Sequence, residues 1–376
     1  MKICIIIGPF NSILPSGGVA VGAVEKRWHF LALKFQTKGH KIFIISKHFG
    51  KLQKSENKKG ILHRKVRGYS RPRNFFLSKF YDFLYSYRAI KEIPKDIDII
   101  VTNTFFSPIL VNNFVKKKVF IDVQRTPRNQ MFLYKNCVRL RANSKIVYKQ
   151  ILNELGKKYQ HKIKTIPNPL PFDSKSKLNN TIKERTLLYV GRIHPEKGIE
   201  IAINAVKKLG NKWVLKIIGP YKIDQGGAGK DYLNKLKKMS SNYPIKFFEP
   251  IFNTSLLNKE YAKASIFLYP SIAEKGETFG LAPLEAMAFG TVPIVSNLEC
   301  FKDFIKQNKN GLIFNHSYKP EVALANKIKI LQDSKVLLKK LSVEAFKVNK
   351  SHSVEKIANL FLDDFKKIIS NNNKNL

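Results

Sequence analysis

The sequence predicts an α/β protein made of two doubly wound, parallel-sheet domains that face each other across a cleft. Three observations lead there. Short apolar runs rich in β-branched residues alternate with helical patterns from the first residues onward, as strands joined by helical crossovers do. The alternation breaks once, at a proline-rich polar stretch, and then restarts. The chain has 376 residues, enough for two domains of ordinary size.

In the first half, KICIIIG reads as a buried strand. A glycine-containing loop follows, then a helical pattern over 21–38. GHKIFIIS restarts a strand after a glycine stop. DIDIIVTN, KKVFIDVQ and VRLRANS read as further strands, with helices over 74–92 and 144–157 among them. Pro167, Pro169 and Pro171 open the aperiodic stretch IPNPLPFDSKSKLNNTIKERT, the best linker in the chain. Beyond it TLLYVGR, KWVLKIIGP, IKFFEP, SIFLYPS and VPIVSN read as strands. GIEIAINAVKKLG, 231–240, 254–263 and LAPLEAMAFG read as the helices between them. An amphipathic helix over 354–369 precedes a polar tail expected to fray. The expected division is 1–168, 169–350 and a C-terminal helix in 351–376 that packs back on the first domain.

Composition narrows the class. Hydrophobic residues make up 44% of the chain, which argues against global disorder. The apolar run before Pro9 is short for a secretory leader, and no run approaches the roughly 18 apolar residues of a membrane span. A cytoplasmic protein is expected. Cys4, Cys137 and Cys300 lie far apart without metal-ligand spacing, so they are expected as small core residues in a reducing compartment. The formal charge is +41. Nucleic acid, an anionic membrane surface and compositional drift would each give that sign. Most of the charge is scattered, as drift predicts, but Lys47–Lys91 holds thirteen Lys or Arg against Glu56 and Asp82, a net of +11. Its second half interleaves arginine with Phe and Tyr. That mixture suits a lipid headgroup interface or a single-stranded nucleic acid. It equally suits an ordinary amphipathic helix with Phe76, Phe80, Phe83 and Tyr87 turned to the core.

Two segments carry chemistry. LLYVGRIHPEKGIEI places Gly191, Arg192, Lys197 and Gly198 between a strand and a helix, where a close backbone and two cations suit a diphosphate. PSIAEKGETFGLAPLEAMAFGTVPIVSN is more specific. Glu277 precedes the Phe279–Gly280–Leu281 turn, whose amides open the helix bearing Glu285. Either acid could merely compensate a helix dipole or face solvent. Together, two separated carboxylates able to accept hydroxyl hydrogen bonds, with cations and amides near them, describe a site for a sugar nucleotide.

GRIHPEKG, this glutamate segment and NGLIF together resemble the retaining glycosyltransferases of family 4, strongly over 186–314 and loosely before. The resemblance implies the GT-B fold, two Rossmann-like domains facing across a cleft, the first on the acceptor side and the second binding the nucleotide-sugar. The family's glutamate pair, separated by seven residues, is matched by Glu277 and Glu285. Arg192 and Lys197 would then hold the diphosphate, with Gly191 close by. Glu285 would bind the ribose, and Glu277, Thr278 and the Phe279–Gly280–Leu281 backbone the donor sugar. Gly17 and Gly18 would approach from the first domain. The implied activity is hexosyl transfer from a UDP- or GDP-sugar to a lipid-linked or polysaccharide acceptor in cell-surface glycan biosynthesis, with Glu277, Arg192 and Lys197 catalytic. No cofactor and no metal are expected: the Asp96–Asp98 pair reads as structural, and fixed cations and helix dipoles take the developing phosphate charge. The contacts expected are the donor, the acceptor and, through Lys47–Lys91, an anionic membrane surface on the inner face of the cytoplasmic membrane. No nucleic acid is expected.

One departure stands out. Many family members place a histidine after a first-domain strand, but KKVFIDVQRTPRNQM has none, so Asp122, Gln124 or Arg125 is expected in its place. GGAGKD, over 226–231, lacks the residues of a phosphate-binding loop and reads as a flexible turn. The rival readings are a basic nucleic-acid binder, which gives Glu277 and Glu285 no task, and a catalytically inactive scaffold of the same fold.

Overall fold

The structure is a computed structural model that describes residues 1–10, 22–48, 50, 53–72, 74–173, 177–178 and 183–370. Gly17 and Gly18 lie outside the described residues. The chain divides into two compact units, Met1–Asp173 with His352–Leu376, and Ser174–Ser351.

The first unit runs β1 (Lys2–Ile6), α1 (Ala23–Thr37), β2 (Lys41–Lys47), β3 (Ser55–Lys58), β4 (Ile61–Val66), α2 (Phe75–Lys91), β5 (Ile99–Thr102), α3 (Ser107–Leu110), β6 (Val119–Val123), β7 (Arg139–Ala142), α4 (Lys145–Leu155) and β8 (Ile163–Thr165). The sheet order is β3-β4-β2-β1-β5-β6-β7-β8, and β3 alone is antiparallel, to β4. β5 and β6 are buried throughout, because helices cover both faces of a parallel sheet and alternation gives way to continuous apolar runs.

The second unit runs β9 (Glu184–Val190), α5 (Ile199–Lys207), β10 (Val214–Ile218), α6 (Lys230–Met239), β11 (Ile245–Phe248), α7 (Thr254–Lys263), β12 (Ala264–Tyr269), α8 (Leu281–Met287), β13 (Val292–Ser296), β14 (Leu312–Phe314), α9 (Pro320–Asp333), α10 (Lys335–Phe346) and α11 (Val348–Ser351). Its order is β11-β10-β9-β12-β13-β14, parallel at every pairing. The chain winds outward from β9 to β11, returns to the middle and winds the other way from β12. The reversal between β9 and β12 is a topological switch point, where ligands of open α/β sheets bind beyond the strands' carboxyl ends.

The last helix, α12 (Val354–Ser370), belongs to the first unit. Phe361 meets Trp28 edge-on at 5.3 Å and Phe365 meets Phe120 at 5.0 Å. Its buried Asp364 takes Arg139 at 2.9 Å and Lys164 at 3.0 Å. All three cysteines are free and buried, as expected of core residues. Burial raises the Cys4 thiol to about 12.

The core-facing reading of α2 is corrected. Its buried residues are Asp82, Tyr85, Ser86, Ala89 and Ile90, while Phe76, Phe80, Phe83 and Tyr87 lie exposed on the other side. The reason is polar. Asp82 accepts the Phe106 amide at 2.9 Å, and the Ser107 hydroxyl donates to Ser86 at 2.9 Å. Hydrogen bonds to the start of α3 set which face turns inward, and the apolar stripe is left outside. β3 and β4 had no sequence signal because lysines, arginine and histidine interrupt their alternation.

Asp122, at the carboxyl end of β6, sits in the interior and is 2% exposed. Its carboxylate accepts Arg141 at 2.6 Å, Trp28 at 2.8 Å and Arg27 at 3.0 Å, and contacts Gln124. Burial alone would raise its pKa, but the Arg141 and Arg27 guanidiniums hold it below the usual range. In this structure Asp122 organises the first unit's core. Gln124 is half-buried and Arg125 exposed.

Asp122→Asn would leave Arg27 and Arg141 buried without their counter-charge. The expected loss is about 3–5 kcal/mol, read from denaturant midpoints; a loss below about 1 kcal/mol would contradict the core role. His63 is buried, and desolvation with the neighbouring Lys65 lowers its pKa to about 4. The unfolded chain takes up that proton first, so stability should fall as pH drops from about 6.5 toward 4. His63→Gln should reduce that slope without abolishing it, since burial lowers His352 to about 4 as well.

Candidate functional site

The site begins at β9. Tyr189, buried in that strand, donates its hydroxyl to the Arg192 carbonyl at 2.9 Å, which fixes the turn at Gly191–Arg192. The backbones pack tightly here. A Cβ on Gly219, after β10, would lie 1.8 Å from the Gly191 carbonyl, so the exits of β9 and β10 approach more closely than side chains allow. Arg192 reaches Glu196 at 2.7 Å and the Gly226 carbonyl at 2.8 Å. The 226–231 turn that the sequence suggests is merely flexible therefore has a task. Gly227 bonds back to the Lys222 carbonyl and Gly229 to that of Tyr221, and the turn holds the arginine.

A 3-10 turn, Pro195–Lys197, carries Lys197 inward. The exit of β12 meets it. Ile272 donates its amide to the Glu196 carbonyl at 2.9 Å, and the Ser271 hydroxyl reaches the same oxygen at 3.3 Å. Gly198 adopts φ +65°, and a Cβ there would stand 2.0 Å from the Pro270 carbonyl. Both features demand glycine. Two loops from opposite sides of the switch point are thereby joined backbone to backbone.

That junction sets the central contact. Lys197 Nζ lies 2.7 Å from Glu277 Oε2, with side-chain exposures of 7% and 11%. The Tyr269 hydroxyl also hydrogen-bonds Glu277; burial, then the Glu277 charge, pushes that phenol well above its ordinary range. The ammonium lies 5.7 Å from the Tyr269 ring centre. Cation, carboxylate and aromatic form one unit at the rim of the sheet.

Beyond Glu277, Phe279 is buried and stacks on Phe304 at 5.2 Å. Gly280 has φ +86°, with the Phe301 ring 2.4 Å from where a Cβ would be. α8 then runs for seven residues with Pro283, Leu284, Ala286 and Met287 buried. This leaves Glu285 on its less buried side, where the Tyr261 hydroxyl donates to Oε2 at 3.0 Å. Burial and the Glu285 carboxylate raise the Tyr261 pKa well above normal.

The structure thus brings Gly191, Arg192, Lys197 and Glu277 to one rim and puts Glu285 on the following helix. Sequence reasoning missed Glu196, Tyr269 and Tyr261, which orient Arg192, Glu277 and Glu285. The hydrogen-bonding tyrosine in SIFLYPS is indistinguishable in sequence from its apolar strand neighbours. Among the described residues, no group of His, Cys, Asp and Glu could hold a metal ion.

The fold is that of the two-domain GT-B proteins. The structure superposes on the sucrose-phosphate synthase of Thermosynechococcus elongatus with a TM-score of 0.75 at 18% identity, covering 98% of this chain and 99% of that one. It superposes on Anabaena HepE, solved in complex with UDP and glucose, with a TM-score of 0.73 at 15% identity, over 98% and 100% of the two chains. At such identities the likeness is one of fold. Residues 172–348 match the family of glycosyl transferases group 1. A glycogen synthase of Thermodesulfovibrio yellowstonii is 29% identical over 139 residues, which are 37% of this chain and 26% of that enzyme. The match spans about a quarter of that relative's own length.

Gly198→Ala should lower stability by at least about 1–2 kcal/mol, the cost of a left-handed L-residue, with the Pro270 clash added. A thermal melt of the variant that coincides with wild type would contradict the close approach of the two loops.

Proposed function

We propose that the protein is a retaining glycosyltransferase, moving a hexosyl group from a UDP- or GDP-sugar to a polysaccharide or lipid-linked acceptor in cell-surface glycan biosynthesis. The observation that carries this reading is the Lys197–Glu277 pair, 2.7 Å apart where the second sheet reverses direction. A carboxylate offers about four lone-pair sites. Glu277 can therefore take Lys197 and Tyr269 and still accept donor-sugar hydroxyls. Glu285, steadied by Tyr261, accepts the ribose hydroxyls.

As the glycosidic bond to phosphate breaks, positive charge develops on the sugar and negative charge on the leaving diphosphate. Lys197 and Arg192 are already oriented, by Glu277 and by Glu196 with Gly226, so they meet the diphosphate charge with little reorganisation. Fixed cations of this kind do the work a divalent metal would otherwise do. The acceptor attacks from the face the leaving group vacates, and the departing phosphate oxygen assists removal of its proton. Gln124 and Arg125 are proposed as first-unit contacts to acceptor or donor. The UDP and glucose in the HepE complex support a UDP-linked donor, and the name of the glycogen synthase relative supports a polysaccharide acceptor. The acceptor is met at the inner face of the membrane.

A thermal-shift panel of UDP-, GDP-, ADP- and CMP-sugars tests donor binding. One nucleotide class should raise the melting temperature, by linkage of binding to folding. With that donor, Glu277→Gln and Lys197→Met should each lower kcat by about a hundredfold, in protein shown by circular dichroism to be folded. Glu285→Gln should chiefly raise the donor KM. No shift with any donor, or unchanged turnover in both rim variants, would overturn the reading.

A further inference from the structure

The outer face of α2 (Phe75–Lys91) is absorbed by none of the chemistry above. Phe76 is 81% exposed, Phe80 54%, Tyr87 46% and Phe83 39%. Their spacing of four, three and four residues puts all four rings on one stripe. A monomeric soluble protein seldom presents four aromatic rings side by side to water.

The outward charge of the helix itself has one sign, and Glu92, which caps its C-terminus, is paired with Arg64. Lys79 Nζ lies 3.3 Å from the Phe105 ring centre, and Lys91 Nζ lies 4.2 Å from that of Tyr87. The sole acid of the helix, Asp82, is buried and taken up by the Phe105 and Phe106 amides. No negative charge of α2 therefore faces outward. Arg88, in the helix's last turn, is tied to Tyr69 at 2.7 Å, and upstream of the helix Arg71 lies over Phe10 at 5.3 Å, so the basic character continues beyond the helix. Among the described residues no helix is long and apolar enough to cross a membrane. A helix anchored to its own domain on one side, with exposed rings and flanking cations on the other, suits a position in the plane of a lipid surface.

We propose that the outer face of α2 docks on an anionic lipid bilayer, with Phe76 and Phe80 entering the acyl boundary and Lys79 and Lys91 meeting phosphate headgroups. The occupant is chosen by charge complementarity. An apolar protein groove would match the rings but leave the cations without partners, whereas an anionic headgroup layer over hydrocarbon matches both. The docked face belongs to the first unit and the Lys197–Glu277 rim to the second, and no residue is shared between them, so the two readings can fail independently.

The test is co-sedimentation of the full chain with phosphatidylcholine vesicles, with and without phosphatidylglycerol. The wild type should pellet at least about tenfold more with the anionic vesicles, and high salt should reverse this. Phe76→Ser with Phe80→Ser changes only exposed side chains. It should cut vesicle binding about tenfold or more while leaving the melting temperature and the donor-induced thermal shift in place. Lys91→Glu should weaken binding to anionic vesicles alone. Equal, negligible pelleting with both vesicle types would overturn the proposal, as would wild-type binding by the double-serine variant. A dimer seen by light scattering and abolished by the same two serines would assign the face to a second copy of the chain and overturn it too.

Discussion

An ammonium and a carboxylate, each with about nine-tenths of its side chain out of solvent, sit 2.7 Å apart where β9 and β12 part company. Much of the second unit serves to make that contact unavoidable. The sheet reverses its winding there, so the loops after the two central strands must share one rim. Glycine at 198 lets the two backbones touch, and the Ile272 amide fastens one loop to the other. Moving either charged residue alone would leave the other desolvated and without its nearest counter-charge, Lys197 keeping only Glu196 at 3.9 Å and Glu277 only the Tyr269 hydroxyl.

A pair so placed is a poor source of stability, because taking both charges from water costs about what their attraction returns. It makes better sense as preorganisation. Tyr269 and the Glu196 backbone hold the two groups in place before any ligand arrives. A phosphate and a hydroxyl that approach them find a donor and an acceptor already aimed. The same design recurs at Arg192, held by Glu196 and the Gly226 carbonyl, and at Glu285, held by Tyr261. The first unit uses its buried charge differently. Asp122 is enclosed by two arginines and an indole and joins β6, β7 and α1.

The fold class was legible because buried parallel strands such as KICIIIG and SIFLYPS announce themselves as apolar runs with helical patterns between. β3 and β4 were not legible, since cations on both faces hide the period of two. Arg192, Lys197 and Glu277 were legible as a composition: scarce acids in a basic chain, set after strands and beside glycines. Their supports were not. Tyr261 and Tyr269 look like any core aromatic, and only three-dimensional placement shows their hydroxyls turned to carboxylates. α2 taught the reverse lesson. Its ring spacing is that of a core-facing helix, yet Asp82 and Ser86, bonded to the start of α3, decide which side is buried. A hydrophobic stripe gives the period of a helix and leaves its rotation open.

The account turns on Lys197 and Glu277 acting as one unit toward the nucleotide-sugar. The most direct measurement is a double-mutant cycle on donor affinity by titration calorimetry, using Lys197→Met, Glu277→Gln and the two combined. The account predicts strong non-additivity: each single change weakens binding, and the combined change costs little more than the worse of the two, a coupling above about 1 kcal/mol. Strictly additive losses, or donor affinity untouched by either change, would contradict it.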